Sequence, residues 1–142
     1  MDDLDIEIKF VKKWSTDEII NLYKSGDWWK DHFDKSGVPL LIKDSFIFAV
    51  VVDKNTKKAI GMGRILSDGI SDAYIQDLII LPDFRKLGIG KMLVNKLVNY
   101  CISKKIYWIG LISEPDQDFF YEKIGFERMK NYIPMKYKIE DK

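Results

Sequence analysis

Residues 77–91 run Asp-Leu-Ile-Ile-Leu-Pro-Asp-Phe-Arg-Lys-Leu-Gly-Ile-Gly-Lys. An apolar strand there enters a turn holding Arg85, Lys86, Gly88, Gly90 and Lys91, and a long helix begins. Glycine lets a backbone approach a ligand closely and adopt positive φ. The first N–H groups of a helix have no internal partner, and the helix dipole adds partial positive charge. Such a turn suits a phosphate or pyrophosphate, with the three basic side chains adding charge. An ordinary strand-to-helix turn that needs glycine has the same composition. Two phosphate motifs are excluded. A Walker A loop needs glycine where Arg85 stands and Ser or Thr where Met92 stands, and the dinucleotide fingerprint needs a third glycine where Leu93 stands. The other glycine pair, Gly61-Met62-Gly63, lies within a strand and marks a crowded or bulged place in a sheet.

The elements around this turn follow from periodicity. Ile6, Ile8 and Phe10 alternate with charged residues, as in a half-buried strand. Ser15 to Glu18 has capping-box spacing and opens an amphipathic helix carrying Ile19, Ile20, Leu22 and Tyr23. Residues 26–37, with Trp28, Trp29, His32 and Phe33, read as a short helix or loop. Residues 46–53 and 59–66 form a hairpin across a lysine-rich turn, and 74–81 a third apolar strand. Residues 88–104 are the strongest helix, with Ile89, Leu93, Leu97 and Cys101 on one face. A strand at 107–112 and a helix at 115–123, stopped by Gly125, come next. The tail 126–139 alternates around Pro134 and suggests two closing strands. This order predicts a mixed α/β sheet of about six or seven strands with helices on both faces.

Composition narrows the function. The 142 residues, 46% hydrophobic and without repeat or linker, predict one globular domain spanning 1–142. Lys+Arg 23 against Asp+Glu 22 gives a net charge of +1, so no general pull toward nucleic acid or an anionic membrane is expected. Phosphate affinity must therefore be local. One cysteine excludes an internal disulfide and a multi-cysteine metal site, and no metal is expected. The acidic start and the lack of a long apolar run point to a cytoplasmic setting.

Arg85-Lys86-Leu87-Gly88-Ile89-Gly90 resembles the Arg/Gln-x-x-Gly-x-Gly/Ala signature of the GNAT superfamily of acetyl-CoA-dependent N-acetyltransferases. Leu78-Ile79-Ile80-Leu81-Pro82 is similar to that family's fourth strand, and Phe120-Tyr121-Glu122-Lys123-Ile124-Gly125-Phe126 to its Phe-Tyr-x-x-x-Gly-Phe element. The two motifs stand in the right order with a helix and a strand between them. The resemblance implies a splayed sheet whose fourth and fifth strands part to admit the pantetheine arm. Backbone groups of Leu78 and Ile80 would pair with the arm, with Ile79 and Phe120 beside it. Arg85, Lys86, Leu87, Gly88, Ile89, Gly90 and Lys91 would hold the pyrophosphate of acetyl-CoA. Tyr121 would protonate the departing thiolate, sparing the expulsion of a bare anion into a poorly solvated cleft. A core aromatic role is the alternative for Tyr121.

The acceptor side is less defined by the sequence. The family often turns the residues at Tyr74 and Gln76 toward the reacting centre, yet neither is a good base. Asp77 is the nearest carboxylate, and strand alternation turns it away unless a bulge re-aims it. Its alternative is a structural carboxylate bonded to backbone or to Arg64. Trp28 and Trp29 suggest an apolar or cation-binding wall. Packing on the sheet is an equally good account of that pair. The expected reaction is acetyl transfer by direct attack of a primary amine on a small molecule, with a homodimer allowed. A protein N-acetyltransferase and a non-catalytic CoA-binding sensor are the alternatives.

Overall fold

The structure, a computed structural model, describes residues 4–139. The chain divides into two compact units, 1–111 and 112–142. In the first unit, β1 (Ile6–Phe10) precedes α1 (Thr16–Ser25), a 3-10 turn (Lys35–Gly37) and α2 (Val38–Asp44). Then come β2 (Ile47–Asp53), β3 (Lys58–Ser67), β4 (Asp72–Ile80), a second 3-10 turn (Pro82–Phe84), α3 (Ile89–Ser103) and β5 (Trp108–Gly110). The strands lie in the order β1-β2-β3-β4-β5. All pairs are antiparallel except the last, β4 with β5, which is parallel and reached through the α3 crossover.

Every residue of β2 is buried, so both faces of the sheet are covered there. Phe48, Val50 and Val52 join Ile19, Leu22, Ile42 and Met62 in the core on the α1–α2 face. On the other face, Leu93 and Leu97 of α3 lie against Gly63, where an added Cβ would stand 3.4 Å from Leu97 Cδ1 and 2.7 Å from Leu78 Cδ1. Gly63 is thus a crowding glycine, as the strand context of the Gly61/Gly63 pair suggests.

Ser15 caps α1 by accepting from Glu18 N at 3.3 Å. The Glu18 carboxylate does not complete the reciprocal half of a capping box. Its Oε1 instead accepts from Ala59 N at 2.7 Å and Trp14 Nε1 at 3.0 Å, tethering α1 to β3.

The second unit holds α4 (Asp118–Glu122), shorter than the helix expected over 115–123. The expected closing strands do not form: the described residues of 126–139 contain no strand, and the sheet has five strands rather than six or seven. A turn does form, with Asn131 at φ 68° and Tyr132 N donating to Met129 O at 3.1 Å. Beyond it Pro134 lacks an N–H, and Met135, Tyr137 and Ile139 stand exposed. Alternation without a buried face does not make a strand. The sequence reading also missed α2, whose first turn tolerates Pro39 because those N–H groups have no helical partner. Among the described residues no helix is long and apolar enough to cross a membrane.

Glu18→Ala strands the Ala59 amide, which is buried. The expected loss is about 1–3 kcal/mol in urea unfolding, the cost of an unsatisfied buried donor. Glu18→Gln, which keeps an acceptor oxygen, should recover most of it.

Candidate active site

β4 and β5 pair only through Asp72↔Trp108, Ala73↔Ile109 and Tyr74↔Gly110. Beyond that point β4 continues to Ile80 while β5 ends, so one edge of β4 is open. Leu81 N donates to Ile60 O at 2.8 Å on the β3 side, which turns the Ile80 carbonyl of the same peptide to the open edge. There it accepts from Arg85 Nε at 2.8 Å. The splay expected from the resemblance is present, and the side chain of Arg85 lies along it.

The turn that follows is shaped by backbone conformation. Lys86 has φ 64° and Gly88 φ 82°. Gly88 is the N-cap of the 15-residue α3 and offers no side-chain cap, leaving the first N–H groups of the helix to outside partners. Alternation of left-handed residues aims successive N–H groups into one concavity, a geometry suited to anions. Arg85, Lys86, Leu87 and Lys91 are exposed around it and Ile89 is buried below. No buried obstacle surrounds Gly88, so its requirement is φ rather than space.

On the face of β4 toward α1 lies a polar cluster. The β3–β4 register shifts between Met62 and Arg64, and Asp77 takes φ 57°, so Asp77 and Leu78 together oppose Gly63. This bulge re-aims Asp77 onto the face of Gln76. Arg64 touches both: Nε donates to Asp77 Oδ2 at 2.7 Å and Nη2 to Gln76 Oε1 at 3.5 Å. Tyr23 Oη donates to the same Asp77 oxygen at 2.8 Å. Arg64 Nη1 reaches Ser45 Oγ at 3.4 Å, and that hydroxyl donates to Leu41 O at 2.6 Å. Burial, then the Asp77 carboxylate, pushes the Tyr23 phenol far above its ordinary value, so it stays a donor.

The tryptophan pair packs on this cluster's apolar side. Both rings are partly buried against the core, each with its centroid 6.4 Å from that of Tyr23. Tyr74 is half exposed and lies against Trp108, ring centroids 5.3 Å apart. Gly110 makes room for that indole, since an added Cβ would meet it at 2.6 Å. The His32 ring lies against that of Phe33, centroids 4.9 Å apart. Sequence reasoning singled out Trp28, Trp29, Tyr74, Gln76 and Asp77 but not Tyr23, Ser45 or Trp108. Nothing in local spacing links residue 23 to residue 77.

In the second unit, Tyr121 lies 5.0 Å from Phe120 and 5.7 Å from Phe126 between ring centroids. Gly125 at φ 108° reverses the chain, and Phe126 N donates back to Tyr121 O at 3.1 Å. Burial, then the charge of Glu114, raises the Tyr121 phenol above its ordinary value. A protonated phenol in an aromatic setting can give up a proton to a stronger base. A cavity of about 400 Å³ lies elsewhere, among Asp17, Glu18, Asp53, Lys58 and Phe84, and holds none of the candidate site residues. No group of three or more His, Cys, Asp or Glu is placed to hold a metal among the described residues.

A strand with a free edge that runs into an uncapped, glycine-bearing helix start is the arrangement that the resemblance to acyl-CoA-dependent transferases implies. Known proteins make the assignment specific. The acetyltransferase (GNAT) domain family matches residues 44–128. An uncharacterised N-acetyltransferase, ycf52, of Pyropia yezoensis is 35% identical over 120 residues, covering 79% of this chain and 68% of that protein. A GNAT family acetyltransferase of Streptococcus pneumoniae shares the fold with TM-score 0.79 and 23% identity, over 96% of this chain and 100% of its own. AAC(6')-Iy, solved with the bisubstrate analogue CoA-S-monomethyl-acetylneamine, has TM-score 0.73 and 17% identity over 95% and 99% of the two chains. The chain belongs to the GNAT acetyltransferase family, whose members use acetyl-CoA.

The Tyr23 phenol gives a testable pH dependence. Its folded value lies above the unfolded one of about 10, so the native state holds the proton more tightly. That contribution is complete below about pH 10 and is lost as pH rises beyond it. Alkaline unfolding should therefore be less steep in Tyr23→Phe than in the wild type, measured by urea midpoints across pH 9–11.

Proposed function

We propose that the chain moves the acetyl group of acetyl-CoA to the nitrogen of a primary amine on a small molecule with an apolar or aromatic body. Residues 1–142 then work as one acetyltransferase domain. The observation that carries this reading is the open β4 edge leading directly into the uncapped, glycine-bearing start of α3. An extended arm ending in a pyrophosphate needs those two features in that order.

Acetyl-CoA supplies an activated acyl carbon open to attack by a neutral amine. The chain's residues do the rest. Backbone groups of Leu78 and Ile80 offer strand-like pairing, with Ile79 anchoring β4 in the core. The turn from Arg85 to Lys91 offers N–H groups and positive charge to phosphate. Phe120 packs beside Tyr121, whose phenol holds a proton for the departing sulfur. Tyr74 and Trp108 present a half-exposed aromatic surface at the apex of the splay, where an acceptor's ring can rest. Trp28 and Trp29, in the segment that follows α1, pack on Tyr23 and wall the acceptor side in this reading, with Gln76 as its polar group.

Release of free CoA thiol from acetyl-CoA, assayed across a panel of amines, tests the reading. An arylalkylamine should outperform spermidine and aminoglycosides, and the reverse order would refute the acceptor assignment. Turnover only with peptide or protein amines would favour the protein acetyltransferase reading. Tyr121→Phe should lower kcat by about 10²–10⁴-fold, the range for one proton-transfer group, with little change in acetyl-CoA KM. Gly88→Val forces a β-branched residue to φ 82° and should remove CoA binding in calorimetry while unfolding stays cooperative.

A further inference from the structure

We propose that Tyr23 and Arg64 are positioning residues that clamp the Asp77 carboxylate, fixing the β4 bulge and Gln76 for acceptor attack, and that Asp77 is the anchor of this clamp rather than a base. The proposal rests on the acetyl-transfer reading and adds to it the residues that set the acceptor side.

The geometry is specific. Four elements meet at one carboxylate and its arginine. Tyr23 comes from α1, Ser45 from the end of α2, Arg64 from β3, and Gln76 and Asp77 from β4. Asp77 Oδ2 accepts both strong bonds, at 2.7 and 2.8 Å, from donors that approach from different elements. The Arg64 and Asp77 side chains are 16% and 24% exposed, so the pair is screened from water on most sides. A carboxylate that serves as base must present an oxygen to the incoming ammonium. Here one of the two oxygens is already shared between a guanidinium and a phenol.

The clamp also sits where misplacement would matter. Asp77 is a non-glycine residue at φ 57°, a conformation that aspartate tolerates better than most residues but that still needs surroundings to hold it. The next residues, Leu78 to Ile80, form the open edge. Tyr23 meanwhile packs on both Trp28 and Trp29 and accepts Trp28 N at its own carbonyl, 2.9 Å away. One phenol thus sets the bulge with its oxygen and the tryptophan wall with its ring and backbone. A hydroxyl deleted there shifts groups that touch the acceptor without itself touching it.

The test uses the full chain with acetyl-CoA and the best amine of the panel. Tyr23→Phe keeps the ring and loses only the bond to Asp77. It should lower kcat about 10- to 100-fold, the scale of a slight misplacement, with acetyl-CoA KM changed less than twofold. Asp77→Asn keeps an oxygen for both donors, whereas Asp77→Ala removes the clamp. The asparagine variant should retain most of kcat and the alanine variant should not, while both keep the acidic limb of the pH–rate profile. If Asp77→Asn falls as far as Asp77→Ala and loses that limb, Asp77 is the base and the clamp assignment is wrong. A Tyr23→Phe variant with lowered melting temperature but wild-type kcat would reduce the bond to a stabilising one and overturn the proposal alone. A wild type that binds CoA but acetylates no amine overturns the transfer reading and the positioning role with it.

Discussion

An extra residue in a β ladder has to put its side chain and its peptide groups somewhere. At Asp77 the chain meets that constraint with a left-handed backbone, a glycine opposite and a carboxylate held from two sides. Gly63 cannot be larger, because Leu78 is pushed to within 2.7 Å of where its Cβ would be. Arg64 directly opposes Gln76, so its guanidinium is in reach of both consecutive polar side chains. Tyr23 is fixed in turn because its phenol must stay with Asp77 while its ring fills the core at the end of α1. One register shift therefore determines which polar residues share this face of β4 and how they are bonded to one another.

The parts legible in the sequence were those encoded within a few residues. The start of α3 follows from Gly88 and the apolar stripe behind it, and the Ser15 cap from its own spacing. The family motifs are local too, which is why they pointed to the family from the turn at Gly88. The polar cluster is different in kind. Tyr23 reads as one more apolar-face residue of an amphipathic helix, and only the fold brings it to a carboxylate 54 positions away. Trp108 reads as a strand residue, and its role depends on Gly110 leaving room for the ring. The tail failed for the opposite reason. Its alternation is a valid local signal, but strand formation needs a paired edge and a covered face, and residues 132–139 have neither in the described structure.

Charge in this chain is spent locally, as a net of +1 requires. Arg64 is neutralised by Asp77, and Arg128 is held by Asp118, Glu122 and the Phe119 ring. Neither is available to a phosphate. Arg85 differs, since its Nε bonds a carbonyl and leaves its positive charge uncompensated by any ion pair among the described residues. Lys86 and Lys91 flank it in the same turn. Three cationic side chains therefore stand at the start of α3, where the helix dipole has the same sign.

That distribution separates two kinds of polar group. Asp77 Oδ2 is already taken by the side chains of Arg64 and Tyr23. The turn at Gly88 is the reverse. Its helix start has no side-chain cap, and Gly88 stands exposed above the buried Ile89. In the proposed reading, phosphate oxygens meet N–H groups whose directions are already set by Lys86 and Gly88. The rigid cluster and the open turn are joined only by β4 from Leu78 to Ile80. In the proposed reading, the strand whose bulge sets the acceptor side is the same strand whose free edge meets the cofactor arm, so one element keeps the two substrates in register.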